Sequence, residues 1–153
     1  MRIEIREAYS NIDDIKTLFK EYTSLLDIDL TYQNYAEEFS LLPGKYAKPT
    51  GRLYTAYVDG MLAGCIGLRK LDAKRAEMKR LYVRSQFRSC HIGKMLAEQV
   101  IGDAKGIGYK LVVLDTLSTM ENARRLYSHL GFIETTPYYE SPIKDTCFLS
   151  LSL

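Results

Sequence analysis

The stretch of this chain with the clearest capacity for chemistry runs Val83-Arg84-Ser85-Gln86-Phe87-Arg88-Ser89-Cys90-His91-Ile92-Gly93-Lys94. It follows a segment with strand character and precedes an apolar stripe at helical spacing. The first N–H groups of a helix have no partner within it, and they point at whatever stands before it. With the helix dipole behind them they attract an anion, and Arg88 and Lys94 add full charges suited to phosphate. Gly93 allows a close approach to the backbone. The bland alternative is a surface loop capping an ordinary helix, and this segment alone does not decide between the two. It lacks GxxxxGK[ST] and GxGxxG, so neither a P-loop nor a dinucleotide fingerprint is present.

Other reactive side chains offer less. Cys90 sits near a helix start, where a thiol can ionise more easily, but no histidine–asparagine arrangement accompanies it. His91 and His129 are the only histidines and cannot form a zinc site alone; no CxxC spacing exists, so no metal is expected. Cys65, Cys90 and Cys147 are odd in number and widely spaced, which argues against a disulfide framework and for a cytoplasmic protein. Arg2 to Glu7 alternates charged and apolar residues, unlike a signal peptide, and no apolar run approaches a membrane span, so no membrane partner is expected. Lys+Arg 21 against Asp+Glu 19 gives a net charge of +2, too balanced for a dedicated duplex-DNA binder.

The elements that would position the loop follow from periodicity. At 153 residues the length suits one domain. Arg2–Glu7 reads as a strand. Ser10 and Asp13 have capping-box spacing ahead of a helix carrying Ile12, Ile15, Phe19, Tyr22 and Leu26 on one face. Thr31–Phe39 reads as a shorter helix. Leu53–Val58 and Met61–Leu68 flank Asp59-Gly60, a type I′ hairpin signal, and Gly64 and Gly67 mark close approach to the second strand. Arg75–Val83 is a third strand. The stripe Ile92, Met95, Leu96, Val100, Ala104 and Ile107 is a helix, and Lys110–Asp115 a strand covered on both faces, together a βαβ unit with parallel strands. Ser118 and Glu121 have capping-box spacing before a stripe of Ala123, Leu126, Tyr127 and Leu130, with Gly131 as its C′ residue. Phe132–Thr135 and Thr146–Leu151 are the last strands.

These segments together resemble the GNAT superfamily of N-acetyltransferases. The family signature, Arg/Gln-x-x-Gly-x-Gly/Ala opening a helix after a strand, is matched by Arg88-Ser89-Cys90-His91-Ile92-Gly93, behind the strand Ala76–Val83. Asn122-Ala123-Arg124-Arg125-Leu126-Tyr127-Ser128-His129-Leu130-Gly131-Phe132 is similar to the family's second segment, and the element order fits nearly the whole chain. The resemblance implies a three-layer α/β/α acyl-CoA N-acyltransferase-like fold. Its sheet would be mixed, mostly antiparallel, of six to seven strands with one central parallel βαβ pair. His91 stands where the family has its first glycine. It needs only negative φ to fit a helix start, but its Cβ crowds the phosphate approach; protonated, it adds a donor.

The implied activity is transfer of acetyl from acetyl-CoA, as co-substrate, to a primary amine of a small molecule or peptide by direct attack in a ternary complex. By resemblance, Leu81, Tyr82 and Val83 bind the pantetheine arm as an added strand would, and Arg88, Ser89, Cys90, His91, Ile92, Gly93 and Lys94 hold the pyrophosphate. Asn122 bonds the cofactor arm, and Tyr127 faces the sulfur as general acid. Tyr127 also lies on an apolar stripe, so a core role is the alternative. Alternation puts Glu77, Lys79, Leu81 and Val83 on one face, a mixture that suggests a bulge or a face open to a cleft. Glu77 there can accept the amine's proton through water, or it can pair with Arg75 or Lys79. Asp115, at a strand's C-terminal end, is a weaker base candidate.

Tyr32, Tyr35, Tyr46, Tyr138 and Tyr139, with the loops Asp27–Thr50 and Pro137–Asp145, are candidates for the acceptor pocket. The last strands commonly mediate pairing in the family, so a homodimer is an expectation too. A non-catalytic acyl-CoA-binding or regulatory domain of the same fold is the alternative function, favoured by His91. A basic strip of Lys70, Lys74, Arg75, Lys79 and Arg80 leaves room for an RNA-modifying or ribosome-associated transferase.

Overall fold

Asp59-Gly60 shows how local chemistry sets the sheet. In the computed structural model, which describes residues 1–26 and 34–153, these two residues have φ of 50° and 81°. They turn β2 (Arg52–Val58) directly into β3 (Met61–Lys70), as a type I′ hairpin requires. β1 (Ile3–Glu7) adds antiparallel to β2, and β4 (Arg75–Val83) antiparallel to β3. β5 (Leu111–Leu117) lies parallel to β4; β7 (Thr146–Ser152) and then β6 (Ile133–Glu134) complete the far side. The result is a seven-stranded mixed sheet, ordered β1-β2-β3-β4-β5-β7-β6, with β4 and β5 as its parallel pair.

Among the described residues, four α-helices cover the sheet. α1 (Ile12–Leu26) and the short α2 (Tyr35–Ser40) stand with one core, built on Ile15, Leu18, Phe19, Tyr46, Leu53 and Cys65. α3 (Ile92–Ile107) and α4 (Glu121–Leu130) belong with the other, which holds Ile66, Met78, Ile92, Leu96, Val112 and Leu114. Each fully buried aliphatic side chain contributes roughly 1.5–3 kcal/mol. Gly67 has a packing reason: a Cβ there would lie 2.6 Å from the Tyr46 ring, which rests flat on that strand position.

Several helix ends differ from the sequence expectation. α1 begins at Ile12, and its first bonds run from the Asp14 and Ile15 amides to the Asn11 carbonyl, so Ser10 and Asp13 form no capping box. α4 likewise starts at Glu121 after Met120 with no side-chain cap; Ser118 instead gives its carbonyl to Arg124. Gly131, at φ 99°, does close α4. Thr31 to Gln33, assigned by periodicity to the second helix, lie outside the described residues. The three cysteines are free, and no described helix is long and apolar enough to cross a membrane.

Candidate active site

The site originates in a defect of β4. Its pairing with β5 covers three positions, Arg75–Leu111, Ala76–Val112 and Glu77–Val113, and there it stops, although both strands continue. On the other side the register with β3 slips between Gly67–Lys79 and Cys65–Tyr82, and Arg80 takes a positive φ of 62°. A bulge of this kind re-aims the side chains beyond it. Glu77, Lys79, Leu81 and Val83 therefore do not share a face. Glu77 and Lys79 line a chamber beside α2, while Leu81 and Val83 pack against the α3–α4 core.

The divergence of β4 from β5 opens a cavity of about 100 Å³ between Met78, Lys79 and Leu81 on one side and Asp115, Thr116 and Leu117 on the other, with Tyr127 in its wall. This cavity shares Tyr22, Leu26, Leu81, Met120 and Ala123 with a larger groove, and Lys79 with the chamber.

The groove, about 710 Å³, runs along the outer end of β4 to the start of α3. Leu81, Tyr82, Val83, Arg88, His91, Gly93, Lys94 and Asn122 all line it. The first bond within α3 runs from the Met95 amide to the His91 carbonyl, so the amides of Ile92, Gly93 and Lys94 precede the helix's own acceptors. With Arg88 and Lys94 beside them, these donors suit a diphosphate. Ser89, Cys90 and Ile92 do not contribute side chains to the wall. Ser89 is exposed away from it, the Cys90 sulfur lies 3.4 Å from Met1 Sδ, and Ile92 is wholly within the core. Of these three, Ile92 offers its backbone amide, which lies in the first turn of α3 ahead of the helix's own acceptors. α1 supplies Tyr22 and Leu26, which periodicity had assigned to helix packing alone, together with Leu25.

His91 departs from expectation in its backbone. It has φ 59° and ψ 26°, the left-handed region, not the negative φ predicted for a helix start. An L side chain there costs roughly 1–2 kcal/mol. A glycine would fit that conformation without strain; here the position carries an imidazole at the groove wall.

The chamber encloses about 470 Å³ and is organised by buried ion pairs. Glu38 of α2 accepts Arg80 Nε at 2.9 Å and Nη2 at 3.1 Å, the Tyr46 hydroxyl at 2.9 Å and Lys45 Nζ at 2.8 Å. Burial would raise its pKa, but the Arg80 guanidinium and Lys45 outweigh that and hold it down to about 2. Glu77 accepts Arg69 Nε at 2.7 Å and the Tyr138 hydroxyl at 2.5 Å, with Lys79 Nζ at 3.9 Å. Burial opposes its ionisation, yet the charges of Lys79 and Arg69 keep it below the ordinary carboxylate value. Burial also pushes Lys79 down to about 8, with Glu77 opposing.

These pairs correct three expectations. Arg75, offered as a partner of Glu77, is tied to Asp72 at 2.7 Å, and the across-strand partner is Arg69. Lys79 and Arg80 are buried, so they form no surface strip with Lys70, Lys74 and Arg75. Of the acceptor-pocket tyrosines, Tyr138 and Tyr139 line the chamber, whereas Tyr46 is fully buried and Tyr35 packs on Phe39. Tyr32 lies outside the described residues. Asp115 accepts the Tyr139 hydroxyl.

Tyr127 is 8% exposed, its ring edge-on to Phe132, and its hydroxyl makes no hydrogen bond among the described residues. Burial raises its pKa, so it stays protonated and can donate. It is thus both core aromatic and cavity wall. Periodicity gave no sign of Arg69, Lys45 or Glu38 as site residues; Arg80, a charge within a buried strand, was the one available signal.

Comparison with known proteins bears on the family and the fold. Residues 12–132 match the acetyltransferase (GNAT) family. An uncharacterized N-acetyltransferase of Dictyostelium discoideum is 38% identical over the whole of both chains. Among solved structures, an acetyltransferase from Streptococcus agalactiae superposes with a TM-score of 0.82 at 22% identity, covering 99% of this chain and 98% of that one. The PaiA N-acetyltransferase from Thermoplasma acidophilum, in complex with coenzyme A, superposes with a TM-score of 0.76 at 20% identity over both full chains.

Proposed function

The chain belongs to the acetyltransferase (GNAT) family, and we propose that it moves the acetyl group of acetyl-CoA directly to the amine of a small molecule. The observation that carries this is the opening of β4 from β5 beyond Glu77, because the cavity there borders the groove on one side and the chamber on the other. The coenzyme A in the Thermoplasma acidophilum structure supports acetyl-CoA as the donor. The groove fits it: helix-start amides, Arg88 and Lys94 face a diphosphate, and Leu81 to Val83 offer an unpaired strand edge to the pantetheine amides.

Acetyl-CoA supplies the acyl group as a thioester. The amine lone pair forms a bond to the acetyl carbon, the carbon–sulfur bond breaks, and the sulfur leaves with the electron pair. Tyr127 gives that sulfur a hydrogen bond or proton from the cavity wall. Asn122 steadies the cofactor arm at the start of α4. The nitrogen loses one proton through water toward Glu77, which is held ionised in the chamber wall. Holding the two reactants in line can lower the barrier by roughly 7–11 kcal/mol, so positioning is the larger share.

The test is an amine panel with acetyl-CoA and a reagent for free thiol. Wild type should release CoA. Tyr127→Phe should keep its melting-temperature rise with acetyl-CoA but lose about 100-fold in turnover, the lower range for a general acid. Full turnover by that variant removes Tyr127 from the chemistry. A second reading, a non-catalytic acyl-CoA-binding domain, draws on the imidazole that His91 places in the phosphate loop. Saturable CoA binding without thiol release across the panel would establish it instead.

A further inference from the structure

The hydrogen-bond inventory of the chamber is lopsided. Glu38 already accepts four donors, and Glu77 accepts Arg69 and Tyr138 with Lys79 close by. Tyr138 and Tyr139 spend their hydroxyls on Glu77 and Asp115. The Glu38 carboxylate is therefore filled, and the Glu77 carboxylate is already ion-paired with Arg69 and Lys79. Arg69 and Lys45 have donors to spare. Arg69 uses Nε on Glu77 and Nη1 on the Lys70 carbonyl, which leaves three of its five N–H groups for a ligand. Lys45 gives one N–H to Glu38, stands 5.6 Å from the centre of the Tyr46 ring, and keeps two N–H groups. Among the described residues, the uncommitted carboxylate in this wall is Glu37, at the exposed rim.

We infer that the acceptor is an amine that also carries a carboxylate, an amino-acid-like zwitterion whose carboxylate bonds Arg69 and Lys45. This rests on the acetyl-transfer reading above. A wall whose cations have N–H groups to spare and whose buried carboxylates are already ion-paired binds an anionic group; a polyamine would meet like charge and no unpaired buried carboxylate. The register orients the molecule. Arg69 pairs with Glu77 and Gly67 with Lys79, so Arg69 stands about 7 Å along the strand from Lys79, which borders the splay cavity. A carboxylate at Arg69 thus leaves the amine toward Lys79, Tyr127 and the thioester. There the Lys79 charge lowers the proton affinity of the incoming amine and helps it reach the neutral, attacking form. At about 470 Å³ the chamber suits a small molecule.

The test compares, in the full-length protein with acetyl-CoA, matched sets of an amino acid, its carboxamide and its decarboxylated amine (phenylalanine, phenylalaninamide and phenethylamine; glutamine and its two counterparts). The amino acid of at least one set should exceed both counterparts at least tenfold in kcat/KM. Arg69→Gln should shrink that ratio at least threefold through KM while leaving acetyl-CoA affinity unchanged. Lys45→Gln, at a partly exposed position, gives the same readout should the first variant fail to fold. Equal turnover of carboxylate-bearing and carboxylate-free amines overturns this inference alone and leaves acetyl transfer standing. Absence of turnover with every amine, with acetyl-CoA still bound, overturns both.

Discussion

The groove and the chamber meet at one strand, yet they are built by opposite means. The end of the groove at α3 comes from one continuous stretch, Arg88 to Lys94, and most of its donors are backbone amides that any helix start provides. The chamber draws charged side chains from α2, the Gly44–Tyr46 turn, β3 and β4, and holds them by mutual pairing in a buried place. The difference teaches where each can fail. A change in the groove weakens a ligand and spares the fold. In the chamber, by contrast, a change strips a partner from a buried charge, and the fold bears the cost before any substrate does.

Arg80→Ala tests that contrast most severely. Arg80 and Glu38 are both about 3% exposed at the side chain, so the variant leaves Glu38 without its two guanidinium bonds. Urea denaturation should register a loss of about 3–5 kcal/mol. A loss below about 1 kcal/mol would mean that the pair does not hold the chamber together.

Acid should attack the chamber first. Glu38 is held down to about 2 from its ordinary 4.5, so its stabilisation is complete above pH 4.5 and drains away as pH falls toward 2. At about 1.36 kcal/mol per pH unit this amounts to ~3 kcal/mol. Denaturation midpoints at pH 6, 4 and 3 measure it, and Glu38→Gln should flatten the profile. A profile as steep in the variant as in the wild type would assign the acid sensitivity to another group.

On the groove side, Arg88→Ala should raise the dissociation constant for acetyl-CoA about tenfold, the loss of one charge-assisted contact, with little change in melting temperature. Titration calorimetry and a thermal scan separate the two effects. A large thermal loss would break the contrast, since it would make Arg88 part of the scaffold.

The smallest effect is set at His91. Glycine there relieves left-handed strain of about 1–2 kcal/mol but loosens the unfolded chain by roughly 0.5–1 kcal/mol. His91→Gly should therefore gain between about 0 and 1.5 kcal/mol in stability, and acetyl-CoA should bind no more weakly. Weaker binding would show that the imidazole itself contributes to the phosphate site.

Legibility in the sequence follows the same division. The hairpin at Asp59-Gly60, the strand Arg75–Val83 and the loop into α3 were readable, because each depends on a few neighbouring residues. Helix starts at Ser10 and Ser118 were misplaced by one to three residues, since side-chain capping is one of several ways to satisfy the same amides. The positive φ of His91 was missed because a helix start ordinarily takes negative φ, and only the turn from Ser85–Cys90 into α3 makes this residue left-handed. For β4, strict alternation gave the wrong face to Leu81 and Val83, and only the bulge at Arg80 corrects it.

The sequence by itself determined the order of strands and helices and the βαβ unit with its parallel pair. All of these arise from periodicity and backbone propensity within short windows. Tertiary structure alone decided that β4 leaves β5 after Glu77, that Arg69 and Arg80 turn inward to meet Glu77 and Glu38, and that Lys79 stands between two cavities. Those partners lie 8 and 42 residues apart. Their pairing is dictated by burial, because a charge removed from water must find its opposite wherever the fold brings one.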